Sequence, residues 1–291
     1  MTISTELGSR RAVDAGAAKL DYFERGEGPP VVFLHGLMAN SDLWRAVVPQ
    51  VAAGGYRCLA VDLPLGAHRV PMPAGADLSP PAVADLIAEF LTALDLVDVT
   101  LVANDTAGAL TQILLTRHPE RIGRVVLTNC DALDRFFPPT FNYLTKLIRL
   151  PGAAWLLGRI LRVPPLRRLP LTYGWLSKRP IPREVMDSYC LPSGDSSDIR
   201  RDLRAFVGSV HRRHSLAAAR RLPGFTKPVL LAWSPEDRLF PLSLGQALAD
   251  LFPMATLVEV PDSYTFVPED QPERLAELIT DFIGSEVPGT Q

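Results

Sequence analysis

Val99-Thr-Leu-Val-Ala-Asn-Asp-Thr-Ala-Gly-Ala-Leu110 is the stretch on which the fold turns. It opens as an apolar, β-branched run from Val99 to Val102, the pattern of a buried strand. Small residues follow at Ala103, Ala107 and Gly108, with Asp105 among them, and then Leu110, Ile113 and Leu114 recur at helical spacing. A strand that reverses at once into a helix needs small neighbours, so that the two backbones can approach. The central residue then stands strained at the mouth of the sheet, beside the helix N-terminus, in the geometry of a nucleophile elbow. Where the G-x-S-x-G form of that motif carries Ser, this chain carries Asp105. The ordinary alternative is an N-cap, whose carboxylate would accept the helix's first N–H groups.

Moving outward, short apolar runs alternate with helical patterns. Val31-Val-Phe-Leu34 reads as a strand covered on both faces and ends at His35-Gly36. Ser41 is a plausible N-cap for a helix running through Val51. Arg57 to Asp62 is a further strand, Ser79-Pro-Pro81 opens a helix, and Arg124 to Thr128 is a strand ending at Asn129-Cys130-Asp131. This alternation implies a doubly wound, mostly parallel sheet. From 132 to 222 the strands stop, and the chain reads as Pro-punctuated helix. Pro228 to Trp233, a helix near Leu244–Leu251, Thr256 to Val260 and a last helix from Pro272 to Ile283 resume the alternation. The expected organisation is therefore a core of residues 1–131 and 223–291 with a helical cap over 132–222.

A chain of 291 residues can bury a core without staples. A net charge of -2 argues against a general nucleic-acid binder. Three cysteines, Cys58, Cys130 and Cys190, have no metal-ligand spacing, and their odd number suits a reducing compartment. With no apolar signal segment near the start and no run long enough to span a bilayer, a cytoplasmic protein is expected, and a homodimer stays open. Charge is uneven: residues 132–222 hold 17 Lys/Arg against 6 Asp/Glu, and the remainder 13 against 26. Such a segment presents either a solvated basic surface or a face for an acidic substrate, membrane or partner.

The order of motifs resembles the α/β-hydrolase superfamily, with a lid inserted after the sixth strand, over residues 18–285. Val32-Phe-Leu-His35-Gly36 is similar to the family's oxyanion-loop motif, which would place the Leu37 N–H at the reacting centre, with that of Thr106 as the second donor. Asp105 sits at the elbow. Asp237, four residues before Pro241, falls where the family carries its acid. The Asp elbow resembles haloalkane dehalogenases and epoxide hydrolases, where a carboxylate attacks carbon and a His-activated water cleaves the resulting ester. Aligning Asp270-Gln-Pro-Glu273 on the family's last motif puts Thr265 where that His belongs, and no His occurs after His214.

The resemblance implies an α/β-hydrolase-fold enzyme for a small to medium apolar organic molecule, with Asp105 as central carboxylate and no cofactor or metal. Asp105 would serve as general acid or base, or as nucleophile of an epoxide hydrolase- or dehalogenase-like reaction. The alternative is a catalytically silent protein binding a ligand in the same pocket. Expected pocket residues are His35, Asn104, Asp131, Trp175 (or Tyr173), Tyr264 and Thr265; Asp131 could stand in for Asp237 as the acid. His68, His211 and His214 are weaker candidates for the missing imidazole.

Overall fold

The computed structural model describes residues 5–285. Its strands are β1 (Ser9–Ala15), β2 (Ala18–Arg25), β3 (Pro30–Leu34), β4 (Arg57–Val61), β5 (Val99–Asp105), β6 (Ile122–Cys130), β7 (Val229–Trp233) and β8 (Ala255–Glu259). They form one sheet in the order β1-β2-β4-β3-β5-β6-β7-β8. β1 and β2 pair antiparallel, β2 joins β4 antiparallel, and every pairing from β4 through β8 is parallel. This is the α/β-hydrolase fold that the sequence predicts.

The helices of the core are α1 (Val48–Ala53), α2 (Pro80–Ala93) and α3 (Thr106–Arg117). Between β6 and β7 run α4 (Asn142–Leu147), α5 (Ala153–Leu161), α6 (Arg183–Asp195), α7 (Ser197–Ser209) and α8 (Arg213–Ala219). After β7 come α9 (Leu242–Ala249), the single turn α10 (Val267–Asp270) and α11 (Pro272–Gly284). α1 packs with α11, and α2 with α3. Helices over both faces explain why all seven residues of β5 are buried and why the inner parallel strands are mostly apolar, whereas β8, at the sheet edge, is only partly buried. α3 has no polar face: Thr106 to Leu115 are all buried, because α2 and α8 close over it.

One expected element differs. Ser41 does not cap a long helix; Asn40 caps a short 3-10 turn, Ser41–Trp44, by accepting the Asp42 N–H at 3.0 Å. α1 then starts afresh with Pro49 in its first turn, where a missing N–H costs nothing. Asn40, one residue earlier, is the better-placed acceptor, and it also ties this turn to α6 through the Ser188 carbonyl at 3.1 Å.

Candidate active site

Asp105 ends β5 with φ +56° and ψ -130°, a strained conformation for a residue with a Cβ. Two glycines make room for it. A Cβ on Gly36 would lie 2.1 Å from Asp105 Oδ2, and one on Gly108 would lie 2.3 Å from Cys130 Sγ, so α3 and the oxyanion turn can close on the elbow only as they are. The N-cap alternative fails, since the Asp105 side chain caps no N–H of α3 in the usual way. The backbone N–H groups of Thr106 and Leu37 instead bear on its carboxyl and act to lower its pKa. These are the two donors expected to line an oxyanion hole, and here they hold the carboxyl itself.

The turn carrying Leu37 is set by His35, which is fully buried. Its Nε2 accepts the Leu63 N–H at 2.9 Å, so Nδ1 carries the proton and donates to the Gly36 carbonyl at 2.9 Å. Burial pushes this imidazole down to about 4, and it stays neutral near pH 7. His35 is thus a scaffold for the turn and lies outside the cavity lining.

Asp237 follows β7 in the loop to α9 and is nearly buried. Its Oδ1 accepts the N–H groups of Leu239 at 2.7 Å and Phe240 at 3.3 Å. The Thr265 hydroxyl lies 3.0 Å from Oδ1 and 2.9 Å from Oδ2, so the side chain that meets the acid is that of Thr265. Asn104, beside Asp105, fixes that loop by donating to the Thr265 carbonyl at 2.7 Å, with a second contact to Thr128 Oγ1 at 2.7 Å. Thr265 and Asn104 are fully buried and act behind the cavity wall.

Burial pushes the Asp105 carboxyl up to about 7, against the two N–H donors, and the Asp237 charge adds to the rise. Burial likewise pushes Asp237 up to about 7, against the Leu239 N–H and the Thr265 hydroxyl. Asp131, at the end of β6, is raised well above the usual carboxylate range by burial and by the Asp105 charge. The Thr106 hydroxyl donates to Asp131 Oδ2 at 3.3 Å, while Oδ1 has no hydrogen-bond partner among the described residues. Three neighbouring buried carboxyls of this kind do not all ionise near neutral pH.

A cavity of about 80 Å³ lies over Asp105. Leu37, Met38 and Thr106 form its floor with Asp105, and Phe137, Leu144, Leu157, Leu161, Tyr173 and Leu176 supply most of its apolar wall. Tyr173 keeps its hydroxyl satisfied by donating to the Met38 carbonyl at 2.6 Å. The volume holds roughly three water-sized groups.

Not every expected pocket residue lines this space. Trp175 and Tyr264 lie outside the lining, gathered around Arg238, whose guanidinium is 5.8 Å from one ring centroid and 5.0 Å from the other. Asp131 sits beneath the elbow. His68 pairs with Asp202 of α7 at 3.2 Å, His118 with Asp85 at 2.8 Å, and His211 and His214 flank Arg213. None of the five histidines, all of them described residues, lines the cavity. Leu157, Leu161 and Leu171 are lining residues that the sequence pattern does not single out; the i, i+4 spacing of the first two marks an apolar stripe, but not whether it faces core or cavity. Among the described residues, no cluster of three or more His, Cys, Asp or Glu is placed to hold a metal.

Known proteins resemble this chain over most of its length. Haloalkane dehalogenase 2 of Mycobacterium tuberculosis is 27% identical, over 94% of this chain and 94% of its own. Cis-3-alkyl-4-alkyloxetan-2-one decarboxylase of Shewanella oneidensis is 25% identical, over 94% and 88%. The structure of haloalkane dehalogenase DatA from Agrobacterium tumefaciens superposes with a TM-score of 0.77 at 22% identity, covering 96% of this chain and 98% of that one, a likeness of fold. The model of the alpha/beta hydrolase family matches residues 31–278, from β3 into α11 through elbow, inserted helices and acid loop, and the chain belongs to that family.

Proposed function

We propose that this family member is an enzyme acting on a small, apolar organic molecule held over Asp105, with the Asp105 carboxyl moving a proton to or from it. The observation that carries this reading is the state of Asp105. Its carboxyl lines an apolar cavity, is gripped by the N–H groups of Leu37 and Thr106, and is pushed up to about 7. Acid and base forms are then both populated near neutral pH, the condition for efficient proton transfer. No imidazole lines the cavity, and the Thr265 hydroxyl is engaged with Asp237. Thr has no proton that titrates near neutral pH, so it cannot activate water as a general base. Elimination, isomerisation, cyclisation and direct addition of water fit this site better than two-step hydrolysis. The molecule would need no cofactor, since the residues themselves supply the acid and the base.

The elbow favours a second reading, in which Asp105 attacks carbon. Its strained backbone and its pair of N–H donors are the equipment of a carboxylate nucleophile, and relatives bear the name haloalkane dehalogenase. The alkyl ester so formed would persist, for want of a base to activate water.

Incubation with a reactive alkyl halide or epoxide, followed by peptide mass analysis, separates the readings. Turnover with no adduct, abolished in Asp105→Asn, supports proton transfer. A stoichiometric adduct on the Asp105 peptide, with turnover ceasing after about one equivalent, supports the nucleophile. Binding without adduct or turnover across a broad panel, unchanged in Asp105→Asn, leaves a silent binding protein.

A further inference from the structure

Ten large hydrophobic side chains stand exposed among the described residues, and eight of them lie between Tyr143 and Leu171; Val97 and Met254 are the others. Leu147, Leu150, Trp155, Leu156, Val163 and Leu169 belong to this group, on α4, α5 and the turns beside them. The same stretch carries six Lys/Arg and no Asp or Glu. Lys146, Arg149, Arg159, Arg162 and Arg168 are exposed among the apolar side chains. Arg159 lies over the Trp155 ring at 5.8 Å, and Trp155 shares a surface groove with Arg149, Arg200 and Arg204. A stretch this apolar on its outer side is uncommon on a face that meets only water.

The inner side of the stretch belongs to the cavity. Leu144, Leu157 and Leu161 face the space over Asp105, and Leu171 both lines that space and is 54% exposed. Leu171 is therefore shared by the outer face and the cavity wall.

We propose that this helical face docks on an anionic lipid surface. Headgroup phosphates would take the guanidinium and ammonium groups, and the boundary of the acyl region would take Trp155, Leu156 and their apolar neighbours, as for amphipathic helices that lie in the interface. Charge decides against a second copy. A two-fold pairing of this face would set its cations against one another; among the described residues Asp195 of α6 offsets Arg162, but the stretch itself holds no carboxylate to offset the others. Among the described residues no helix is long and apolar enough to cross a membrane, so the contact is peripheral. A surface so oriented also brings Leu171 and the cavity entrance towards the phase in which apolar molecules dissolve.

Flotation of the full chain with phosphatidylcholine vesicles, with and without one-third phosphatidylglycerol, tests this. The protein should float with the anionic vesicles at low salt and be released at about 0.5 M salt, where the Debye length is only a few ångströms. Arg149→Glu with Arg159→Glu should weaken binding about tenfold or more. Trp155→Ser with Leu156→Ser should weaken it comparably, with unchanged circular dichroism. The blue shift of fluorescence on binding should vanish in Trp155→Phe. Asp105→Asn should float as the wild type does, so failure of docking and failure of the proposed chemistry read separately. Absence of flotation at low salt overturns the proposal, as does equal, salt-insensitive binding to neutral vesicles. So does a dimer that Trp155→Ser with Leu156→Ser converts to monomer.

Discussion

Replacing Asp105 by Asn should stabilise the protein, and the gain should grow with pH. In the unfolded chain this carboxyl titrates near its ordinary 3.8; in the fold, burial holds it up to about 7. Below about pH 3 both states are protonated, and the residue contributes no pH-linked difference. As pH rises, the unfolded chain releases the proton while the native state must keep it or bury a charge, so native stability falls until about pH 7 and then levels off. The penalty is of order 1–2 kcal/mol at pH 5 and about 4 kcal/mol at pH 8.5, since each pH unit between the two titrations is worth about 1.4 kcal/mol. Asn keeps an oxygen for the Leu37 and Thr106 N–H groups and has no charge to bury. The variant's advantage should therefore increase by about 2–3 kcal/mol between pH 5 and 8.5, or roughly 5–10 °C in Tm. The acid-side loss from neutral His35, which must charge as pH falls towards 4, is common to both proteins and cancels in the difference. Urea or thermal unfolding of both proteins across that range measures it. A difference that is flat with pH, or that favours the wild type at pH 8.5, would refute the assignment of Asp105 as a carboxyl raised by burial.

Gly36→Ala should drive the Asp105 carboxyl off its N–H donors, cutting activity about a hundredfold or more, the scale for a lost oxyanion-type donor. The same substitution should cost about 1–3 kcal/mol of stability by overpacking, readable in the same unfolding assay. Asp237→Asn should lower turnover less than tenfold, or about 1.4 kcal/mol of barrier, because there is no imidazole for it to orient; a thousandfold loss would make Asp237 itself the acid or base. Thr265→His should restore hydrolysis of any ester trapped on Asp105, followed as loss of the mass adduct with time. Excising residues 138–220 and bridging the gap should leave the sheet cooperatively folded by calorimetry, since the segment joins strand ends at the surface.

The sheet was legible because each parallel strand is an apolar run closed by a turn or cap, and that pattern follows directly from burial on both faces. Asp105, Leu37, Thr106 and Asp237 were legible because their positions hang on local backbone demands: an elbow, a His-Gly turn, and a strand end four residues before a proline. The cavity wall was not. Trp175 and Tyr173 are two residues apart in an irregular stretch, and only the three-dimensional course of the chain decides that Tyr173 reaches the Met38 carbonyl while Trp175 packs against Arg238. His68 shows the same limit from the other side. The sequence offers it as a candidate imidazole, but its partner is Asp202, 134 residues away in α7.

Thr265 shows how the buried acid of this fold is satisfied. An acid loop without an imidazole would leave a buried carboxyl short of partners, at a cost of about 1–3 kcal/mol for each unsatisfied group. Thr265 supplies the hydroxyl, and Leu239 and Phe240 supply N–H groups from the acid's own loop. The Thr265 carbonyl is meanwhile held by Asn104, one residue from the elbow. The Asp237 loop, the Thr265 loop and the elbow therefore form one hydrogen-bonded assembly, so the geometry around Asp105 is maintained without the imidazole. Nothing in that assembly accepts a proton from water near neutral pH except a carboxyl. Of the two carboxyls pushed up to about 7, Asp105 lines the cavity and Asp237 stands behind it, which is why the proposed proton transfer is assigned to Asp105 and only a modest effect is expected of Asp237→Asn.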